Sequence, residues 1–190
     1  MIKGKDQSNL FLLYAAAGVT LSLAIASHGK IPFTILDMPK NMVAKPLAGD
    51  YPSFYSFYLK EHRDPTCRIL HVIGTSLVMV TALYKYPHAI ANLLIGISCG
   101  LVLCEYLSPL PNGMMEFIAM FVMAGISGRW CQQPFPWQLL VLGYLPAWTG
   151  HAFFEHNVPA TFIYPTYSLL SDFRMWFQMC KGDLSWTERI

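Results

Sequence analysis

Charge is scarce in this chain: 13% of its 190 residues are Asp, Glu, Lys or Arg, against about 25% in a typical soluble domain. No basic run stands out and the formal net charge is only +2, so no nucleic-acid partner is expected. Cysteine is sparse and odd in number: Cys67, Cys99, Cys104, Cys131 and Cys180. These form no CxxC pair, which argues against a disulfide framework or a zinc knuckle and leaves reduced thiols as core filler. Catalytic signatures are missing as well. There is no GxSxG elbow, no HExxH and no glycine-rich phosphate loop. No internal repeat or low-complexity run is evident.

What the chain does have is apolar surface. Hydrophobic residues make up 54% and the mean hydropathy is +0.39, values that point to a membrane protein. Five apolar segments stand out, at 10–26, 69–84, 89–107, 114–127 and 137–149. Several fall short of the ~20 residues that a straight span needs. The first is read as an uncleaved anchor or a signal peptide. Residues 28–50, with Pro32, Pro39 and Pro46, read as a linker. In residues 51–61 the aromatics Tyr51, Phe54, Tyr55, Phe57 and Tyr58 recur at helical spacing. That pattern predicts an amphipathic helix lying in the membrane interface, with an ordinary core-facing helix as the alternative. Trp130 and Trp137 are candidate interface anchors. The expected fold class is all-α: a polytopic membrane helix bundle of four to five apolar helices with an amphipathic interfacial helix. Its domains are an N-terminal segment and linker at 1–50, a membrane domain at 51–180 and a short tail at 181–190.

Four of the six histidines sit in two short clusters, His62-Arg63-Asp64-Pro65-Thr66-Cys67-Arg68-Ile69-Leu70-His71 and Gly150-His151-Ala152-Phe153-Phe154-Glu155-His156. Imidazole at the edge of lipid is costly to bury alone, so these positions are functional candidates. His71 stands near the start of the second apolar segment and His151 just past the fifth. Four crossings between them place both clusters on one side of a bilayer. That side carries nine of the thirteen Lys and Arg residues, which predicts a cytosolic face. A reducing cytosol also suits ferrous iron and free thiols.

His62 and His71 are nine residues apart, on opposite faces of an unbroken helix. Pro65 interrupts it, so a kink can turn both rings toward one point, with Arg63 and Asp64 as neighbouring or capping groups. His151 and Glu155 are four apart and share a helical face. With His62 or His71 they compose a mixed imidazole–carboxylate shell of the kind that suits ferrous iron. Glu155 is read as a ligand, or as a general base or acceptor beside one. His156 points about 100° away, so it is a metal ligand only where the helix unwinds near Asn157 or Pro159, and it ranks below His151. His28 and His88 read as solvated or interfacial. Asp172 and Arg174 either orient a ligand, hold a substrate carboxylate or form a surface ion pair. Glu116 has no evident role.

The pattern HxxPxxxxxH (His62, Pro65, His71) followed by GHxxxE (Gly150, His151, Glu155) and Pro159-Ala160 resembles the small membrane family that includes the fungal 2-hydroxy fatty acid dioxygenase of the endoplasmic reticulum. The resemblance covers about residues 51–176. It departs at His156-Asn157, where the fungal enzyme has basic residues. It implies an Fe(2+)-dependent dioxygenase of the endoplasmic reticulum. Such an enzyme uses molecular oxygen to shorten a long-chain 2-hydroxy fatty acid by one carbon, with loss of carbon dioxide, in phytosphingosine degradation. His62, His71 and His151 match the family's histidines and Glu155 its acidic position. Arg63, Arg68 or Arg174 is then expected to steer the substrate carboxylate. Two other readings compete: a b-type haem protein with His71 and His151 as axial ligands, and a non-enzymatic lipid-binding or scaffold protein.

Overall fold

The computed structural model describes residues 51–190 apart from Pro111. The expected anchor at 10–26 and the linker at 28–50 lie outside the described residues. Within them the chain is all-helical, with no strand. Its elements are α1 (Tyr51–Lys60), α2 (Pro65–Lys85), α3 (His88–Tyr106), α4 (Met114–Trp130), α5 (Gln138–Gly150), a π turn (His151–Glu155), a 3₁₀ turn (Ala160–Phe162) and α6 (Pro165–Lys181).

Proline marks where these helices start and stop. Pro65 occupies the first turn of α2 and Asp64 caps it, its carboxylate accepting from the Thr66 N–H at 2.8 Å. Proline suits that position because its missing N–H has no intrahelical partner there. The break between α1 and α2 is thus a short loop with a capped restart. Pro87 separates α2 from α3, and Pro165 opens α6. Glu116 in the first turn of α4 is buried and accepts from the Thr166 N–H at 3.0 Å, so it caps α6 across the bundle.

Two helix pairs carry the packing, α2 with α5 and α3 with α4, and α6 lies across α1, α2, α3 and α4. α2 and α5 run antiparallel and nearly touch at two places. A Cβ on Gly74 would stand 2.7 Å from the Gly143 carbonyl oxygen, and one on Gly150 would stand 2.8 Å from Cys67 Sγ. A side chain at Gly74 would force the two backbones apart, and one at Gly150 would press on Cys67. The two contacts lie seven residues apart on both helices and set the register of α2 against α5.

The aromatic face of α1 goes inward. Phe54, Tyr55 and Tyr58 are buried, and Phe54 packs on Tyr167 and Tyr164 with ring centroids 5.5 and 6.0 Å apart. The core-facing alternative therefore replaces the interfacial helix expected at 51–61, because α6 supplies the aromatic surface that covers it. Among the described residues one helix, Pro65–Lys85, is long and apolar enough to cross a membrane, and His88–Cys104 is a shorter apolar stretch. Exposed apolar side chains recur at helical spacing on α2 (Ile73, Leu77, Val80, Tyr84), α4 (Met115, Ile118, Val122, Ile126) and α5 (Val141, Leu145, Trp148).

Candidate metal centre

Three imidazoles meet at one end of the bundle. His62 lies in the loop after α1, His71 two turns into α2 and His151 at the junction of α5 with the π turn. Their ring centroids are 4.5 Å (His62–His71), 4.6 Å (His62–His151) and 5.2 Å (His71–His151) apart. They are 0%, 7% and 2% exposed. Cys67, one turn before His71 on α2, joins them: one ligand atom from each of the four residues lies within 4.8 Å of the others.

The hydrogen bonds fix where the imidazole protons sit. His62 Nδ1 donates to the Tyr58 carbonyl oxygen at 2.6 Å. His71 Nδ1 donates to Asp172 Oδ1 at 2.6 Å. His151 Nδ1 donates to Asn157 Oδ1 at 2.7 Å. The Asn157 amide is itself oriented, since its NH₂ donates to the carbonyl of Glu61 at 2.9 Å and to its carboxylate at 2.8 Å. All three acceptors are oxygens that can only accept in this arrangement, so each Nδ1 carries the proton and each Nε2 presents a lone pair. His62 Nε2 and His71 Nε2 are buried with no hydrogen-bond partner. Native proteins rarely leave such atoms unsatisfied, and a cation in their midst would satisfy them. Burial pushes His62 well below its ordinary pKa, helped by the His71 and His151 rings. Burial and then His71 bring His151 down to about 4. Neutral imidazoles with occupied Nδ1 atoms are the form that binds metals.

Asp172 is the hub beside the cluster. Besides His71 it accepts from the Tyr58 hydroxyl at 3.2 Å and from the Thr75 hydroxyl. The Tyr58 ring in turn stacks on His62 with centroids 3.9 Å apart.

The remaining candidates are placed elsewhere. The Glu155 carboxylate accepts the Asp64 N–H at the start of α2 and is outside the converging ligand atoms. It ties the end of the π turn to the first cluster, because the π turn changes the helical phase after His151. His156 is exposed and left-handed, with φ 56°, so it turns away from the cluster. Arg68 is 0% exposed, and its guanidinium donates to the carbonyls of His62 (3.0 Å), Arg63 (2.7 Å), Ser185 (3.0 Å) and Glu188. The geometry thus assigns it to holding the C-terminal tail on the loop that carries His62. Arg63 is exposed, and Arg174 is exposed with its guanidinium 3.9 Å over the Tyr55 ring. None of the three arginines lines the cavity described next. Of the residues the sequence reading left out, Cys67 had a signal, since it shares a helical face with His71 at four residues' distance. Asn157 had none, because its reach to His151 depends on the π turn.

A cavity of about 280 Å³ opens from the cluster into the bundle. His71, His151, Asp172 and Tyr58 line its head, Thr75, Gly143 and Tyr144 follow, and Ala82, Ala89 and Leu139 line its far end. His71 to Ala82 is eleven helical residues, so the cavity runs ~16 Å along α2. A polar head over a long apolar tail space is the shape of an amphipathic single-chain ligand.

No curated protein and no solved structure matches the chain. A family model does, described as 2-hydroxy-palmitic acid dioxygenase Mpo1-like, over residues 48–184. That match spans both histidine clusters, α1 to α6 and the cavity between them, and the chain belongs to the 2-hydroxy-palmitic acid dioxygenase Mpo1-like family.

Proposed function

We propose that this chain is an iron(II)-dependent dioxygenase of long-chain 2-hydroxy fatty acids. The observation that carries the reading is the convergence of three buried imidazoles, two of them with an unpartnered Nε2, at the head of an apolar cavity. His62, His71 and His151 would hold the ion, with Cys67 beside them. Ferrous iron there would supply oxygen activation and a point of attachment for the adjacent carboxylate and hydroxyl of the substrate. The chain's own groups do the rest. Asp172, Asn157 and the Tyr58 carbonyl keep the three rings in one tautomer. The cavity wall strips water from the alkyl chain, worth about 0.8 kcal/mol per methylene. In the overall reaction the C1–C2 bond of the 2-hydroxy acid breaks and dioxygen takes up the electrons. The products are the acid one carbon shorter, carbon dioxide and water.

The exposed apolar faces of α2, α4 and α5 support a bilayer setting, since a water-soluble monomer rarely shows apolar patches of this extent. In this reading α2 to α5 lie in the membrane and the histidines face the cytosol, in the endoplasmic reticulum for a chain that follows the fungal enzyme. A haem between His71 and His151 is disfavoured, because the His62 ring lies 4.5 and 4.6 Å from both and fills the slot a porphyrin would need.

The test uses detergent-purified protein loaded anaerobically with ferrous iron, then given a long-chain 2-hydroxy acid and oxygen. Mass spectrometry should find the acid shortened by one carbon, and the His151→Ala variant should make none. Firmly bound iron without product would redirect the search to another substrate. No iron and no product would leave a lipid-binding or scaffold role in front.

A further inference from the structure

One polar group on the cavity wall has no partner. The Tyr144 hydroxyl is buried and bonds nothing among the described residues. Its ring lines the cavity with Phe121 and Trp148, whose centroids lie 6.4 and 5.3 Å away. The other hydroxyls of the wall are engaged: those of Tyr58 and Thr75 on Asp172, and those of Thr161 and Ser168 on each other at 3.1 Å. A buried hydroxyl is normally satisfied, and one held open on a cavity wall fits an occupant that brings the partner.

The height of Tyr144 identifies which part of the occupant it meets. The antiparallel contacts pair Gly150 with Cys67 and Gly143 with Gly74. Tyr144 therefore stands level with Ile73 and Gly74, less than a helical turn beyond His71 on the tail side of the cluster. The Asp172 carboxylate lines the same cavity as the Tyr144 hydroxyl. That neighbour disfavours a second carboxylate at the Tyr144 hydroxyl and tolerates a neutral oxygen. No arginine is available for the task, since Arg68 is spent on backbone carbonyls and Arg174 lies on Tyr55.

We propose that the Tyr144 hydroxyl donates a hydrogen bond to the 2-hydroxyl oxygen of the fatty acid and so selects 2-hydroxy acids over unsubstituted ones. This rests on the cavity being a 2-hydroxy fatty acid site. Tyr144 is then a specificity residue, separate from the groups that hold the ion.

The test compares the full chain and its Tyr144→Phe variant, both metal-free in detergent micelles. A fluorescent fatty acid bound in the cavity is displaced by 2-hydroxyhexadecanoate or by hexadecanoate. One hydrogen bond to an otherwise unpaired buried hydroxyl should give the unmodified chain a preference of about tenfold for the hydroxy acid. The variant should bind hexadecanoate with an unchanged constant and the hydroxy acid no better. Removing a hydroxyl that bonds nothing should leave the melting temperature the same or higher, which separates a binding effect from misfolding. A variant that keeps the preference would overturn the role of Tyr144 and leave the fatty acid site standing. Loss of both acids with native helix content would make Tyr144 a wall residue and overturn it as well. If neither acid displaces the probe from the unmodified chain, the fatty acid reading itself falls, and the proposal with it.

Discussion

Nδ1 of His71 lies 2.6 Å from Oδ1 of Asp172, a residue 101 positions further along the chain. A carboxylate behind a metal-binding imidazole fixes the ring and raises its basicity. Replacing Asp172 by Asn keeps the shape and removes the charge. Iron affinity of the Asp172→Asn variant should fall by about 10- to 100-fold, read by competition with a chelating dye. Unchanged affinity would mean that Asp172 serves packing alone.

Asn157 does the same for His151 through an amide anchored on Glu61. Asn157→Leu should strand the His151 Nδ1–H and weaken iron binding, with little change in helix content. Glu155→Gln, by contrast, keeps a side-chain oxygen able to accept from the Asp64 N–H. It should retain iron, whereas a ligand role for Glu155 would show as lost iron.

Arg68 is a buried cation balanced by backbone carbonyls. Arg68→Met should destabilise the fold by about 2–4 kcal/mol by leaving buried acceptors unpaired. A thermal melt in detergent checks this. A loss of substrate affinity with an unchanged melt would instead restore the substrate-steering role.

Acid should unfold the metal-free protein. His151 has its folded pKa near 4 against an ordinary 6.5, so below pH 6.5 the unfolded chain takes up a proton that the folded one refuses. The stability tied to His151 is whole above pH 6.5 and drains as pH falls toward 4. About 3 kcal/mol is lost across that window. Melting temperature against pH should show it, and His151→Gln should make the curve shallower there, the slope that remains coming from His62, which burial also holds below its ordinary pKa.

The glycine seam can be tested directly. Gly150→Val places methyl groups where Cys67 Sγ already sits. It should cost about 1–3 kcal/mol through overpacking and reduce iron affinity by pushing His151 away from His71.

Much of this was legible in the sequence, and the exceptions share a cause. The apolar runs at 69–84, 89–107, 114–127 and 137–149 fall within a residue or a few of α2 to α5, because hydrophobic length and proline punctuation are local. The break at Pro65 was legible for the same reason. The inward turn of α1 was not, since an aromatic stripe looks alike to lipid and to a neighbouring helix until Tyr164 and Tyr167 are placed against it. α-Helical phase puts Glu155 on the face of His151, and the π turn shifts that phase. Arg68 resembled a free cation because nothing local shows that the carbonyls of Ser185 and Glu188 come back to it.

The close approach of α2 and α5 at Gly74 and Gly150 also bears on how an ion is exchanged. The register of these helices is set by Gly74 against the Gly143 backbone and Gly150 against Cys67, so His71 and His151 face each other before anything enters. Loading then demands no folding, and stripping the ion with a chelator should leave the helices standing. Under the proposed function, occupancy by iron would then be a reversible state of a standing protein.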